Sequence, residues 1–163
     1  MKTLYIVRHA KSSWDDPTLS DHDRPLMQKG RKRTLKIAAY LKNLKIKPDL
    51  MVSSSAKRAY HTANIIAEVL NYPLSDIIRE KAFYHSDREK LTDYLFGLDN
   101  NINSIMVFGH NPTFTSFANQ FIDSQIDWLP TTGTVSISFN TNKWENIMLA
   151  ERKTNFVVYP NML

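Results

Sequence analysis

The chain has 163 residues, 42% of them apolar and 23% charged, with only 4 glycines and no cysteine. This is the composition of a globular protein able to bury its own core, and it excludes disulfide staples, thiolate nucleophiles and cysteine-based metal sites. The formal charge of +5 suggests nucleic acid at first sight, but residues 29–47 hold Lys29, Arg31, Lys32, Arg33, Lys36, Lys42, Lys45 and Lys47 with no acid among them, so the basic character is one local patch.

In chain order, Leu4–Val7 is the first short apolar run, ending in Arg8-His9. It reads as a buried strand and is too short for the core of a signal peptide. A helix is predicted from about Gln28 to Leu44, with Ile37, Ala38, Leu41 and Leu44 as its buried stripe and most of the lysines elsewhere. Leu50–Val52 is a second strand. A second helix runs from about Ala56 to Leu70, with Ala59, Thr62, Ala63, Ile66 and Val69 at helical spacing and Ser55 as the expected N-cap. A third helix spans about Asp87–Gly97. Ile105–Phe108 is another apolar strand, and a fourth helix begins near Pro112.

Toward the C-terminus, Thr134–Phe139 alternates polar and apolar residues as a half-buried strand does. Asn140–Lys143 reads as a turn, with Trp144–Ala150 expected to return antiparallel. No run approaches the roughly 20 apolar residues that span a bilayer. Residues 1–163 are expected to form one α/β domain, a three-layer sandwich around a mostly parallel central sheet, acting in the cytoplasm.

Three polar clusters follow three of these strands: Arg8-His9, then Ser53-Ser54-Ser55-Ala56-Lys57-Arg58, then Gly109-His110-Asn111-Pro112. The carboxyl ends of neighbouring parallel strands converge on one crevice. Two arginines and two histidines would therefore meet there, a set suited to a phosphoryl group, which guanidinium forks bind bidentately. The start of the Ala56–Leu70 helix would add backbone donors. Clustered cations also disfavour protonation of a neighbouring imidazole, leaving a ring nitrogen free to attack phosphorus. Singly, each cluster has an ordinary structural reading: a packed strand-end histidine, a solvated helix arginine, a turn before a helix.

Together, LYIVRHAKSSW, DHDRPLMQKG, SSSAKRAYHTA and FGHNP resemble the histidine phosphatase superfamily, with its phosphoglycerate-mutase-like fold, and within it the SixA-type phosphohistidine phosphatase branch. The resemblance covers essentially the whole chain. It implies His9 as nucleophile, Arg8 and Arg58 clamping the phosphoryl oxygens, His110 donating to them, and no metal or organic cofactor. Ala10 stands where a glycine is common after the nucleophile, and His61 where many relatives have glutamine; His61 reads as a helix-surface residue near the site mouth.

Larger members use a carboxylic acid to protonate the leaving oxygen. Glu80 is the nearest match here, although Lys81-Ala82-Phe83-Tyr84-His85 replaces the usual following sequence. An exposed structural glutamate is the competing reading. A weak acid makes chemical sense for a phosphoramidate, because an imidazole leaving group has a pKa of about 6.5 and needs little help. Asp23-Arg24-Pro25-Leu26 also matches the family loop. Arg24 either contacts substrate or pairs with Asp23 to brace the loop. Ser12, Ser13, Trp14 and Asp15 are expected at the pocket rim, Trp14 equally as packing. His22, His61 and His85 lack metal-site spacing.

The expected substrate is a phosphorylated protein, foremost phosphohistidine, or a small phosphorylated molecule. A mutase is disfavoured because such enzymes carry extra segments for which this length leaves little room, and a non-catalytic phosphate-binding module because all four pocket residues stand. The 29–47 face has only Tyr40 as an interleaved aromatic, so no nucleic-acid partner is expected, and no membrane. That face is either solvated or a docking surface for an acidic protein.

Overall fold

The computed structural model describes residues 1–163. Six strands form one sheet: β1 (Lys2–Arg8), β2 (Leu50–Ser54), β3 (Ile78–Glu80), β4 (Ser104–Gly109), β5 (Thr134–Phe139) and β6 (Arg152–Val158). Their order is β3-β2-β4-β1-β5-β6. The β3-β2, β2-β4 and β4-β1 pairs are parallel, and β5 joins β1 and β6 antiparallel. The sheet is mostly parallel, as expected.

Four helices cover it: α1 (Gln28–Asn43), α2 (Lys57–Leu70), α3 (Arg88–Phe96) and α4 (Thr113–Asn119). Because side chains alternate along a strand, β1 and β4 feed two separate cores. Val7, Met106 and Phe108 pack under α1 and α2, against Ile37, Ala38, Leu41, Ala63 and Ile66. Leu4, Ile6, Ile105 and Val107 pack on the other side with Leu91 and Leu95 of α3, Phe114 and Phe117 of α4, and Phe121, Phe139 and Trp144. These are the three layers. Asn71, in the left-handed region at φ 60°, ends α2, with Tyr72 N donating to Ala67 O. Asp87 caps α3 by accepting from Lys90 N at 2.8 Å. No helix is long and apolar enough to cross a membrane.

Four expectations need correction. Trp144–Ala150 is not a strand: Trp144 begins a short 3-10 turn, fully buried, its indole N–H donating to Ile102 O at 2.7 Å. The core claims that side chain, and the returning strand is β6, paired with β5 through an irregularity between Ser136 and Ile137. β5 itself is buried on both faces rather than one, Thr134 and Ser136 included. Its small polar side chains find partners there, Thr134 in Thr132 O and Ser136 in Asn155. Leu44 is exposed because α1 ends at Asn43 and the stripe ends with it. Ser55 does not cap α2. The N-cap is Ala56, whose N–H donates to Ser54 Oγ, while Ser55 Oγ bonds His22 Nε2.

The 9–27 segment crosses the carboxyl end of the sheet and is stitched to itself, with Ser13 N donating to Pro25 O at 2.8 Å and Met27 N to Lys11 O at 2.9 Å. Gly30 permits this. A Cβ there would stand 2.5 Å from Lys11 O, so only glycine lets the first turn of α1 lie against the segment.

Candidate active site

The ends of β1, β2 and β4 bring His9, Arg58 and His110 to the crevice. His9 follows β1 directly and is 7% exposed. Its N–H donates to Gly109 O, tying it to β4, and Ala10 N donates to Thr62 Oγ1 on α2 at 2.9 Å. The Ala10 methyl is fully buried. His9 Nδ1 lies 2.7 Å from Ala10 O. A carbonyl only accepts, so Nδ1 carries the proton and Nε2 keeps its lone pair. Burial, with smaller contributions from Arg58, Arg8 and Arg24, pushes the His9 pKa down to about 3, against the bond to Ala10, which favours the charged form.

His110 stands beside it, ring centroids 5.1 Å apart. Gly109 leaves the space that the Phe114 ring fills, 2.5 Å from where a Cβ would lie, and this seats the turn into α4. His110 Nε2 is 2.7 Å from Ser54 Oγ, which already accepts from Ala56 N. Donation from the Ser54 hydroxyl to Nε2 satisfies both groups and leaves the His110 proton on Nδ1. Burial first, then His9 and Arg58, lower the His110 pKa, so this ring too is neutral.

Arg8 donates through Nη1 to Leu129 O at 3.1 Å, a carbonyl that also accepts from Asn111 Nδ2 at 2.7 Å. Arg58, 6% exposed, donates to Asp21 O at 2.6 Å and Asp21 Oδ2 at 3.0 Å. Arg8 Nε, Arg58 Nε and His110 Nδ1 are all buried and meet no partner in the protein. Three N–H donors beside a neutral imidazole, with no acceptor of their own, make a site for an oxyanion.

Arg24 is 7% exposed and belongs to the same group. It pairs with Asp21 rather than with Asp23: Nε and Nη2 are each 3.2 Å from Asp21 Oδ1, while Asp23 points outward and meets Ser20 and His22. Ser12 Oγ accepts from Arg24 Nη1 at 2.6 Å. Trp14 is 73% exposed, on the rim rather than in packing, with the Arg24 guanidinium 3.5 Å from its ring centroid. Asp15 is exposed and its carboxylate bonds to none of these groups; only its N–H is engaged, by Ser13 Oγ. Glu80 caps a short 3-10 turn, accepting from Ala82 N at 3.2 Å, and makes no hydrogen bond to His9, Arg8, Arg58 or His110. His61 lies half-buried on α2 against Tyr60. No group of three or more His, Cys, Asp or Glu side chains is arranged to hold a metal ion.

Sequence reasoning missed Asp21, Tyr84 and Trp128. Asp21 accepts from Arg24, Arg58 and the Tyr84 hydroxyl, the last at 2.6 Å. Tyr84 packs edge-on to His110. Trp128, 54% exposed, lies 5.6 Å from the Arg8 guanidinium. The signal for Asp21 was its place three residues before Arg24; nothing local marked the other two.

Residues 4–87 match the histidine phosphatase superfamily (branch 1). The chain belongs to that family. An uncharacterized chloroplastic protein of Arabidopsis thaliana is 31% identical over 152 residues, covering 88% of this chain and 69% of that one. Phosphoglycerate mutase 1 of Saccharomyces cerevisiae is 36% identical over 70 residues, 42% of this chain and 28% of the mutase. Among solved structures, a SixA from Agrobacterium tumefaciens superposes with a TM-score of 0.82 at 24% identity, covering 98% of both chains. The protein histidine phosphatase SixA complexed with tungstate gives 0.83 at 23%, covering 99% of both. These two show that the fold is the phosphoglycerate-mutase-like one. Membership makes the chain an enzyme of the histidine phosphatase type.

Proposed function

We propose that this enzyme hydrolyses a phosphoryl group carried on a protein side chain, foremost phosphohistidine, through a covalent phosphohistidine on His9. The observation that carries the reading is the buried trio of unpartnered donors, Arg8 Nε, Arg58 Nε and His110 Nδ1, set around a neutral His9 whose Nε2 is free.

The chemistry follows from those atoms. The substrate oxygens settle on the three donors. His9 Nε2 attacks phosphorus in line as the P–N or P–O bond breaks. A phosphohistidine protonated by solvent on its far ring nitrogen leaves as neutral imidazole, and an oxygen leaving group takes its proton from solvent. Positive charge develops on the His9 ring, and the Nδ1–H bond to Ala10 O stabilises it. Water then attacks the phosphohistidine, releasing phosphate and restoring His9. An imidazole leaving group, with a pKa of about 6.5, leaves without a strong acid. This suits a pocket in which Glu80 is engaged by Ala82 N. No step calls on a metal ion.

A protein substrate is supported by the rim. Trp14 and Trp128 are exposed, and each lies against an arginine of the pocket. Exposed tryptophans beside arginines are the residue types that carry protein contacts. The basic α1 face, whose lysines and arginines form no ion pair, would steer an acidic partner. Residues 1–163 act as one catalytic unit in this proposal, supported by the single sheet, and the cytoplasm is its proposed compartment, which cell fractionation tests.

A metal-free panel tests the function: phosphohistidine protein, phosphoserine and phosphotyrosine peptides, sugar phosphates and an aryl phosphate. Phosphohistidine protein should give the highest kcat/KM. Trp14→Ala with Trp128→Ala should lower it more for that protein than for the aryl phosphate. A preference for sugar phosphates would reject the substrate class.

A further inference from the structure

We propose that Asp21 is a positioning residue, holding the terminal edge of the Arg58 guanidinium so that its Nε edge is presented to the phosphoryl group. The inference rests on the phosphatase reading of the His9 pocket and extends it to a residue outside the four that surround the phosphate.

A guanidinium has two edges that can each meet a pair of acceptors: the terminal edge, Nη1 with Nη2, and the side edge, Nε with the second Nη2 hydrogen. Asp21 takes the terminal edge of Arg58 with both of its oxygen types, the backbone O on Nη1 at 2.6 Å and Oδ2 on Nη2 at 3.0 Å. The side edge is left, with Nε buried and unpartnered. Substrate can therefore use that edge with Asp21 still in place.

Asp21 is itself held from three directions. Arg24 grips Oδ1 through Nε and Nη2, and the Tyr84 hydroxyl donates to Oδ2 at 2.6 Å. Burial opposes its ionisation, but the bonds from Tyr84 and Arg58 and the Arg58 charge outweigh it, holding the carboxyl well below the usual range. The phenol of Tyr84 is raised by burial and by Asp21, so it stays a donor. The 9–27 segment, α2 and the turn after β3 are thus locked through one carboxylate. A fork fixed before substrate arrives needs no reorganisation when charge develops on the transferring group.

The competing possibility is that Asp21 occupies the place of phosphate and must leave. The two differ in sign. Phosphate affinity is measured by calorimetry, and kcat on the phosphohistidine protein, for wild type, Asp21→Ala, Asp21→Asn, Arg58→Ala and the Asp21→Ala/Arg58→Ala double variant, with thermal unfolding as the check on folding. Asp21→Ala should weaken inorganic phosphate binding by roughly 10-fold and lower kcat by roughly 10–100-fold. In the Arg58→Ala background the same change should cost little, because the group it orients is gone. Should Asp21→Ala fail to fold, Asp21→Asn, which keeps one acceptor, carries the test with the same signs and smaller size. Unchanged or tighter phosphate binding overturns the inference, and so does an equal loss in the Arg58→Ala background. A wild type that turns over phosphohistidine while Asp21→Ala does so equally well refutes Asp21 alone. A wild type that binds no phosphate refutes the pocket itself.

Discussion

His9 and His110 lie with ring centroids 5.1 Å apart, each with one nitrogen bound to the protein and the other unbound. Ala10 O holds His9 Nδ1 and Ser54 Oγ holds His110 Nε2. The rings are thereby set in complementary states, one offering a lone pair and the other an N–H. Burial and the surrounding arginines keep both neutral, and a proton on either would further disfavour one on its neighbour. Nucleophile and hydrogen-bond donor are separated by which nitrogen the backbone and Ser54 have claimed.

The arginine clamp predicts that Arg8→Ala and Arg58→Ala each lose roughly 10²-fold or more in kcat/KM, because these donors stabilise charge that develops in transfer. Steady-state kinetics beside thermal unfolding separates this from loss of the fold. Chelators should leave turnover unchanged, and metal-dependent turnover would contradict the mechanism.

The buried neutral histidine predicts an acid-sensitive fold. Unfolded, His9 titrates near 6.5; folded, near 3. Between those values the unfolded chain binds a proton that the folded chain refuses, so stability is full above about 6.5 and falls as pH drops toward 3. The loss attributable to His9 at pH 4 is on the order of 2–4 kcal/mol. Denaturant unfolding at pH 7 and pH 4 should show a smaller drop in His9→Asn than in wild type. An equal drop would mean that His9 is not held neutral.

Glu80→Gln separates the two roles of that side chain. As the proton donor, Glu80 would matter more for alkyl phosphates than for phosphoramidates, whose leaving nitrogen is easier to protonate. Since its carboxylate caps Ala82 N, the expected result is a small effect, at most a few-fold, equal for both substrates. A selective loss on alkyl phosphates would identify it as the acid.

The basic face of α1 predicts salt-dependent capture of an acidic phosphoprotein. Reversing Lys32, Arg33 and Lys36 to Glu should lower kcat/KM at low salt, with the difference fading as the Debye length falls toward about 10 Å at 0.1 M. A neutral peptide substrate is the control. Indifference to both salt and charge reversal would reject the steering without touching the chemistry.

The elements that position the catalytic groups were legible because each carries its own local pattern. Val7, Met106 and Phe108 sit in apolar runs that end in the pocket residues, and α1 and α2 show helical stripes. What was hidden depends on partners far away in sequence. Trp144 looked like the start of a strand, yet Ile102 O and the core across the sheet hold it in a turn. Ser136 looked solvent-facing, yet Asn155 of the strand that was not foreseen meets it. Asp21 reads as one more loop acid until Arg58, 37 positions on, and Tyr84, 63 on, close around it. Pairings of that range leave no periodic trace.

The most direct test of the account is chemical. Rapid quenching with phosphoryl-labelled substrate should trap a protein-bound label that is acid-labile and alkali-stable, the signature of a phosphoramidate, and that His9→Ala abolishes together with turnover. A label that survives His9→Ala, or full activity in that variant, would contradict the assignment of His9 as the nucleophile.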